Sequence, residues 1–332
     1  MHFHQYSTKM PSSSSATVVA SAILFPKPSI PDRKVLNCKI FQEKTDSNLG
    51  LKRNITSTEK YFKYFINSAS RNDNTLVEFD VPFPSDYSEL LEQAKKATEL
   101  ALKDNKQLME IDFPTAGLES VSGDGEGGVE MTESMQLIRE FCDRFVSPEK
   151  ATRTRIFFPE ANEVKFARKS AFEGTSFKLD YLTKPSFFED FGLFEKVKMA
   201  DQVKPEDELF LVAYPYFNVN EMLMVDELYK EAVMNTSRKL MIFNGELDRI
   251  RSGYYPPFFY PKLAALSKTL LRKMETVYYI HNFKGQNGGV LFRCYPGPWK
   301  VLRKVKNKYL CLHQQEVMPS LKEVALDILP SS

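Results

Sequence analysis

The sequence lacks a long apolar run. Its longest, residues 18–25, is interrupted by Ser21 and falls well short of the roughly 20 residues that a membrane-spanning helix needs, so no transmembrane segment is expected. Cysteine is scarce. Cys38, Cys142, Cys294 and Cys311 are scattered without a C-x-x-C spacing, which suggests neither a zinc site nor a disulfide framework and points to a reduced compartment. Histidine is equally sparse: His2 and His4 stand at the start of the chain, and His281 and His313 fall in expected strands with no cysteine or carboxylate at ligand spacing. No metal is expected. A dominant charge is also missing, because 45 basic and 43 acidic side chains in 332 residues leave a net +2, which excludes nucleic-acid binding through bulk charge. The G-x-S-x-G elbow of an α/β-hydrolase does not occur. The glycine-rich run Ser120-Val-Ser-Gly-Asp-Gly-Glu-Gly-Gly-Val-Glu lacks both the G-x-G-x-x-G order and a Gly-Lys-Ser/Thr ending, and Asp124, Glu126 and Glu130 would repel a phosphate. A flexible surface loop is expected there, and no cofactor.

Charge is distributed unevenly along the chain. Residues 1–84 carry eleven Lys or Arg against seven Asp or Glu, so the remainder is slightly acidic. Residues 1–31 hold nine Ser or Thr and no acid at all. A Ser-rich, basic, acid-poor start without an apolar core and small-residue cleavage site has the composition of an organelle transit peptide rather than a secretory signal. Residues 1–65 are therefore expected to be a transit peptide, the alternative being an ordinary disordered N-terminus; 66–84 form a linker, and 85–330 form one domain.

Within that domain the hydrophobic period alternates between about 3.6 and 2. Helices are expected near 86–104, 132–146, 162–172, 186–194, 218–234, 260–274 and 321–328, the first opened by Asp86 with Glu89 three residues on. Strands are expected at 106–113, 155–158, 177–182, 208–214 and 239–244, then at 276–282, 290–295, 300–305 and 309–314 with no helix between them. The run Leu-Phe-Leu-Val-Ala at 209–213 is apolar throughout, as a strand covered on both faces should be. The pattern predicts an α/β fold: a three-layer, mostly parallel sheet covered by helices, with an antiparallel C-terminal extension.

In such sheets ligands bind beyond the carboxyl ends of the strands. Phe113-Pro114, Phe158-Pro159 and Tyr214-Pro215 each put proline directly after an apolar strand, where it should stop the ladder, and Phe243-Asn244-Gly245 puts a turn pair there. The loops that follow supply Thr115, Glu160, Asn162, Asn218, Asn220, Asn244, Glu246, Asp248, Arg249 and Arg251, the candidate cleft residues. The competing reading is that these residues cap helices and close loops, for which Asn162, Asn218 and Asn220 are well suited. The helix near 218–234, with Met222, Met224, Val225, Leu228 and Val233, should pack on the sheet, and Cys142, Cys294 and Cys311 should be packed thiols. A second candidate surface joins the single tryptophan to a run of cations: Trp299, Lys300, Arg303, Lys304, Lys306 and Lys308. Trp beside Lys and Arg suits an anionic membrane or an acidic partner, against the alternative of a solvated hairpin around Lys306-Asn307.

Four blocks carry a resemblance: Arg155-Ile-Phe-Phe-Pro-Glu-Ala-Asn-Glu-Val, Glu208-Leu-Phe-Leu-Val-Ala-Tyr-Pro-Tyr-Phe-Asn, Phe243-Asn-Gly-Glu-Leu-Asp-Arg-Ile-Arg and Phe283-Lys-Gly-Gln-Asn-Gly-Gly-Val-Leu-Phe-Arg. Together they resemble a plant and cyanobacterial domain family of unknown function that includes the Low Photosystem II Accumulation chloroplast assembly factors and a domain fused behind a chloroplast adenylate kinase. The resemblance spans about residues 85–328 and brings no catalytic motif. It implies a chloroplast protein, in the stroma or peripheral at the thylakoid, with photosynthetic assembly intermediates or the thylakoid surface as partners. The function expected on that basis is a non-enzymatic auxiliary role in assembly or stability of a photosynthetic complex such as photosystem II. The alternative is a small-ligand or nucleotide-binding enzyme that uses the carboxyl-end rim.

Overall fold

A computed structural model describes residues 81–121, 127–184, 198–216 and 218–331. The expected transit segment and most of the linker, the acidic centre of the glycine-rich loop and the expected helix at 186–194 lie outside these residues.

Helix α1 (Tyr87–Lys103) opens as its sequence dictates. The Asp86 carboxylate accepts from the Glu89 amide at 2.8 Å, while Leu90, Leu91, Ala94, Ala97 and Ala101 turn one apolar stripe to the sheet. The chain continues through β1 (Leu108–Asp112), α2 (Gly127–Phe145), α3 (Pro148–Ala151), β2 (Thr154–Glu160), α4 (Ala161–Lys169), β3 (Lys178–Thr183) and α5 (Met199–Gln202). Then come β4 (Leu209–Ala213), α6 (Val219–Leu228) with a wider π-type turn (Tyr229–Val233), β5 (Lys239–Phe243) and α7 (Asp248–Arg251). The sequence suggests one helix over 260–274. Two form instead, α8 (Pro261–Leu266) and α9 (Leu270–Lys273). The last elements are β6 (Glu275–Phe283), β7 (Gly289–Cys294), β8 (Trp299–Val305), β9 (Lys308–Gln315) and α10 (Leu321–Glu323), which continues as a π-type turn to Ile328.

Among the described residues these strands make one nine-stranded sheet in the order β3-β2-β4-β5-β1-β6-β7-β8-β9. The pairs from β3 to β6 are parallel and those from β6 to β9 antiparallel, so the expected α/β architecture with an antiparallel C-terminal extension is present. Helices cover both faces. One apolar layer joins α1, α2 and α4 to Met109, Ile111, Ile156, Phe158, Met241 and Phe243; the other joins α5, α6, α8 and α9 to Leu108, Phe157, Phe210, Val212, Leu240 and Ile242. This division follows from the path of the chain. From β1 to β3 it moves one way along the sheet, and from β3 to β6 it moves back, so a crossover of constant hand changes face. Adjacent β1 and β5 therefore send their following connections to opposite faces, which opens a crevice at their carboxyl ends.

Pro159 does not end its strand, contrary to the sequence reading. Pairing of β2 with β4 stops at Phe157↔Val212, but pairing with β3 runs on to Glu160↔Thr183, and the Pro159 carbonyl accepts from the Thr183 hydroxyl at 3.0 Å. Gly127 and Gly128, read as loop, begin α2. Cys142 and Cys294 are packed thiols, and burial pushes the Cys294 thiol up to about 12. The methionines of α6 pack on the sheet as expected.

Candidate functional site

The crevice between β1 and β5 is built by a backbone that turns sharply. Tyr214, Asn244 and Glu246 hold positive φ values of 36°, 51° and 45° at the ends of β4 and β5. Non-glycine residues in that region cluster where the surrounding structure imposes strain. Gly245 stands between two of them because a β-carbon there would meet Ile242 Cγ2 at 2.8 Å. Asn244 then acts as a clamp. Its backbone N–H donates to the Ile111 carbonyl at 2.8 Å, its Oδ1 accepts from the Phe113 N–H at 3.0 Å, and its Nδ2 donates to Ser134 Oγ on α2 at 3.2 Å. One side chain thus ties β5, β1 and α2 together.

Beside this clamp lies a small cleft, open to solvent and lined among others by Asp112, Thr115, Ser134, Tyr216, Asn244 and Glu246. A second, smaller one adjoins it through Tyr216 and Glu246 and is lined also by Asn218, Arg249 and Tyr255. Five of the candidate residues, Thr115, Asn218, Asn244, Glu246 and Arg249, meet in these two clefts. Thr115 is 7% exposed, and its hydroxyl has no hydrogen-bond partner among the described residues. Glu246 pairs with Arg249 at 2.5 Å, and the Arg249 guanidinium stands 5.9 Å from the Tyr216 ring centroid. Glu160 and Asn162 stand at the end of β2, on the same rim but outside both clefts, with β4 between them and β5. Asn218 also caps α6, its side-chain oxygen Oδ1 accepting from the Asn220 backbone N–H at 2.9 Å, whereas Asn220 lies inside α6 and Asn162 inside α4, whose cap is Glu160.

Asp248 and Arg251 turn inward instead. The Arg251 guanidinium lies on Glu110, with Nη1 2.8 Å from Oε1 and Nη2 against Oε2, and Nη1 also reaches Asp248 Oδ1 at 3.3 Å. Thr276 donates to Glu110 Oε2 at 2.7 Å, and the Tyr279 hydroxyl donates to Asp248 Oδ2. Burial works against the charge of Arg251, but Glu110, Asp248 and Tyr279 outweigh it and hold the guanidinium firmly protonated. Asp112 receives the Glu246 N–H at 3.2 Å. Burial first, then the nearby Glu110, Asp248 and Glu246, raise its carboxyl well above the usual carboxylate range, with Arg251 opposing. His281 Nδ1 lies 3.9 Å from Asp248 Oδ2, and burial lowers its pKa while Asp248 resists the shift. Sequence spacing gives His281 no neighbouring carboxylate, because Asp248 comes from α7, 33 residues earlier in the chain.

Glu110, Asp112, Tyr279 and His281 are the members of this cluster that the sequence reading passed over. A signal exists. In β1 the order Leu-Met-Glu-Ile-Asp alternates, whereas β4 and β5 are almost continuously apolar, so β1 carries acids on a face that the fold nevertheless covers. Among the described residues no group of three or more His, Cys, Asp or Glu has the geometry of a metal site.

The tryptophan surface needs correction. Trp299 is 2% exposed and packs edge-on to Tyr279, while Lys300 is buried with its Nζ 3.3 Å from the Val81 carbonyl. Both belong to the apolar-facing half of β8, where the strand is covered, so neither stands on an exposed contact surface. Arg303 donates to the Leu329 carbonyl and Lys304 pairs with Glu119, whereas Lys306 and Lys308 are exposed at the β8–β9 turn.

No helix among the described residues is long and apolar enough to cross a membrane. No curated protein and no solved structure gives a significant match to the chain. A family model described as "Domain of unknown function (DUF1995)" matches residues 84–326, which takes in the whole sheet, both clefts and the buried Glu110–Arg251 pair; the chain belongs to that family.

Proposed function

We propose that the chain is a non-enzymatic chloroplast auxiliary protein that acts by recognition at the rim of its sheet and assists the assembly or stability of a photosynthetic complex such as photosystem II. The observation that carries this reading is the commitment of the rim's polar groups to one another. Glu110 is held by Arg251 and Thr276, Asp248 by Arg251 and Tyr279, and Asn244 by Phe113 and Ser134. Buried side chains locked this way make a rigid frame beneath the clefts of the rim, which suits recognition by a fixed surface. The chloroplast location draws on the acid-free, Ser-rich start of the chain and on the four blocks that resemble the plant and cyanobacterial family.

A second reading, a small-ligand or nucleotide-binding enzyme working at the same rim, is favoured by Asp112. Its carboxyl is raised well above the ordinary range at the wall of a cleft, where a general acid would be useful. Blue-native separation of plastid membranes, probed for this chain, tests the two against each other. Comigration with photosystem assembly intermediates is the expected result. A freely soluble protein that turns over a nucleotide, and loses that activity in Asp112→Asn, would establish the second reading in its place.

A further inference from the structure

The connection after α7 carries the most exposed apolar surface of the described residues. Phe258 is 87% exposed, Phe259 71%, Tyr254 70% and Tyr260 40%, all within seven consecutive residues. Aromatic side chains this bare and this close together mark a surface that meets something. The rings are also ordered. Tyr254 with Tyr255, Tyr255 with Tyr260 and Phe258 with Phe259 pack edge to face at centroid distances of 5.2, 5.6 and 5.1 Å, while Pro256 and Pro257 restrict the backbone between them. The result is a stiff aromatic projection.

Charge identifies what it fits. From residue 252 to 264 the chain has one cation, the exposed Lys262, and no acid, whereas Arg272 and Lys273 lead into the first residue of β6 and so lie towards the opposite end of the sheet. Lys262 lies two residues beyond Tyr260. The β8–β9 turn, with exposed Lys306 and Lys308, projects from the same end of the sheet, because β6 is parallel to β1 and β7 and β8 then reverse twice. Four strand spacings separate β5 from β8, so these features share a rim about 19 Å wide. Val305 and Leu310 beside that turn are also exposed, at the tip of the hairpin. Tyrosines with wet hydroxyls, bare phenylalanines and flanking lysines form the combination that partitions into the headgroup region of an anionic bilayer.

We infer that the aromatic loop 254–260 is a membrane anchor that seats the carboxyl-end rim on an anionic lipid surface, with Lys262, Lys306 and Lys308 facing the headgroups. This deepens the proposed auxiliary role and rests on it for the identity of the membrane, but lipid binding can be read without it.

The test is cosedimentation of the full chain with vesicles of one part phosphatidylglycerol to two parts phosphatidylcholine, alongside pure phosphatidylcholine vesicles. Wild type should bind the anionic vesicles, and its binding should fall as salt shortens the screening length from about 10 Å at 0.1 M to about 3 Å at 1 M. Phe258→Ser/Phe259→Ser should weaken binding at least about tenfold, and Lys262→Glu/Lys306→Glu/Lys308→Glu should remove its preference for anionic over neutral vesicles. The substituted side chains are exposed, so circular dichroism and the thermal midpoint should match wild type. Equal binding by wild type and the Phe258→Ser/Phe259→Ser variant, or no binding by wild type at low salt, would overturn the inference, and in the second case the loop would be left to a protein partner. Vesicle binding without comigration in plastid membranes would count against the auxiliary role alone; comigration without vesicle binding would count against the anchor alone.

Discussion

Arg251, on the one-turn helix that follows β5, closes its guanidinium over Glu110, a fully buried carboxylate on the central strand β1. The pair lies on the second face of the sheet, where the apolar layer under α6 and α8 gives way to the one formed by Tyr279, Leu291, Trp299 and Val301. Charge in that position has a large cost unless it is matched. Arg251→Ala should therefore destabilise the domain by about 3–5 kcal/mol, since it strands Glu110 without its partner. Glu110→Leu combined with Arg251→Met should recover much of that loss, because the pair is then replaced by packing. Chemical denaturation of the two variants checks this; a double variant no more stable than Arg251→Ala would show that the network is required for the fold itself.

Asn244 should be hard to replace. Alanine loses the bond to the Phe113 N–H, worth about 1–3 kcal/mol when the donor is left buried, and must also adopt a left-handed backbone costing about 1–2 kcal/mol. Glycine relieves the second cost but not the first. Asn244→Gly should accordingly unfold at higher denaturant than Asn244→Ala, with both below wild type. The reverse order would mean that the clamp does not hold the rim.

How much of this was legible can be judged from particular residues. Asp86 and Glu89 announced the start of α1, the apolar run 209–213 announced a strand buried on both faces, and the four unbroken C-terminal strands announced the antiparallel extension. Those signals are local and periodic. The break between α8 and α9 and the survival of β2 past Pro159 depend on what each segment packs or pairs against, which the neighbours in sequence do not specify. The cluster of Glu110, Arg251, Asp248 and Tyr279 joins positions up to about 170 residues apart, so sequence spacing could nominate Asp248 and Arg251 but not their partners. Trp299 misled for a related reason: β8 is covered on both faces over residues 299–302 and becomes exposed only towards its end, a boundary that the run of cations does not mark.

Stability should depend on pH through Glu163. Its carboxylate bonds the Glu160 amide in a capping box at the start of α4, yet burial raises its pKa from 4.5 to about 7. An acid whose pKa is higher folded than unfolded binds more protons in the native state, so its contribution is full below about 4.5 and is lost as pH rises towards 7. Asp112, raised in the same sense, adds to that slope, whereas His281, whose pKa is lowered, takes stability away as pH falls below its unfolded value of 6.5. Glu163→Gln should flatten the decline between pH 4.5 and 7 by on the order of 2 kcal/mol. Thermal unfolding of both proteins across that window reads the effect directly, and an unchanged slope in the variant would assign it to other groups.

The two halves of the former tryptophan surface should respond oppositely. Trp299→Ala empties a buried site against Tyr279 and Leu291 and should cost about 3–5 kcal/mol. Lys306→Ala, at an exposed turn, should leave the unfolding midpoint almost unchanged. Similar losses from both substitutions would contradict the burial of β8.

The most direct test of recognition at the rim is to fill the larger cleft without touching its frame. Ala116 is exposed and lines that cleft, so Ala116→Arg should obstruct it while leaving the Asn244 clamp and the Glu110–Arg251 pair in place. Blue-native separation of plastid membranes carrying wild type or Ala116→Arg, with thermal midpoints matched beforehand, is the measurement. Loss of comigration with photosystem assembly intermediates in the variant alone is the predicted result; equal comigration of both proteins would contradict recognition through this rim.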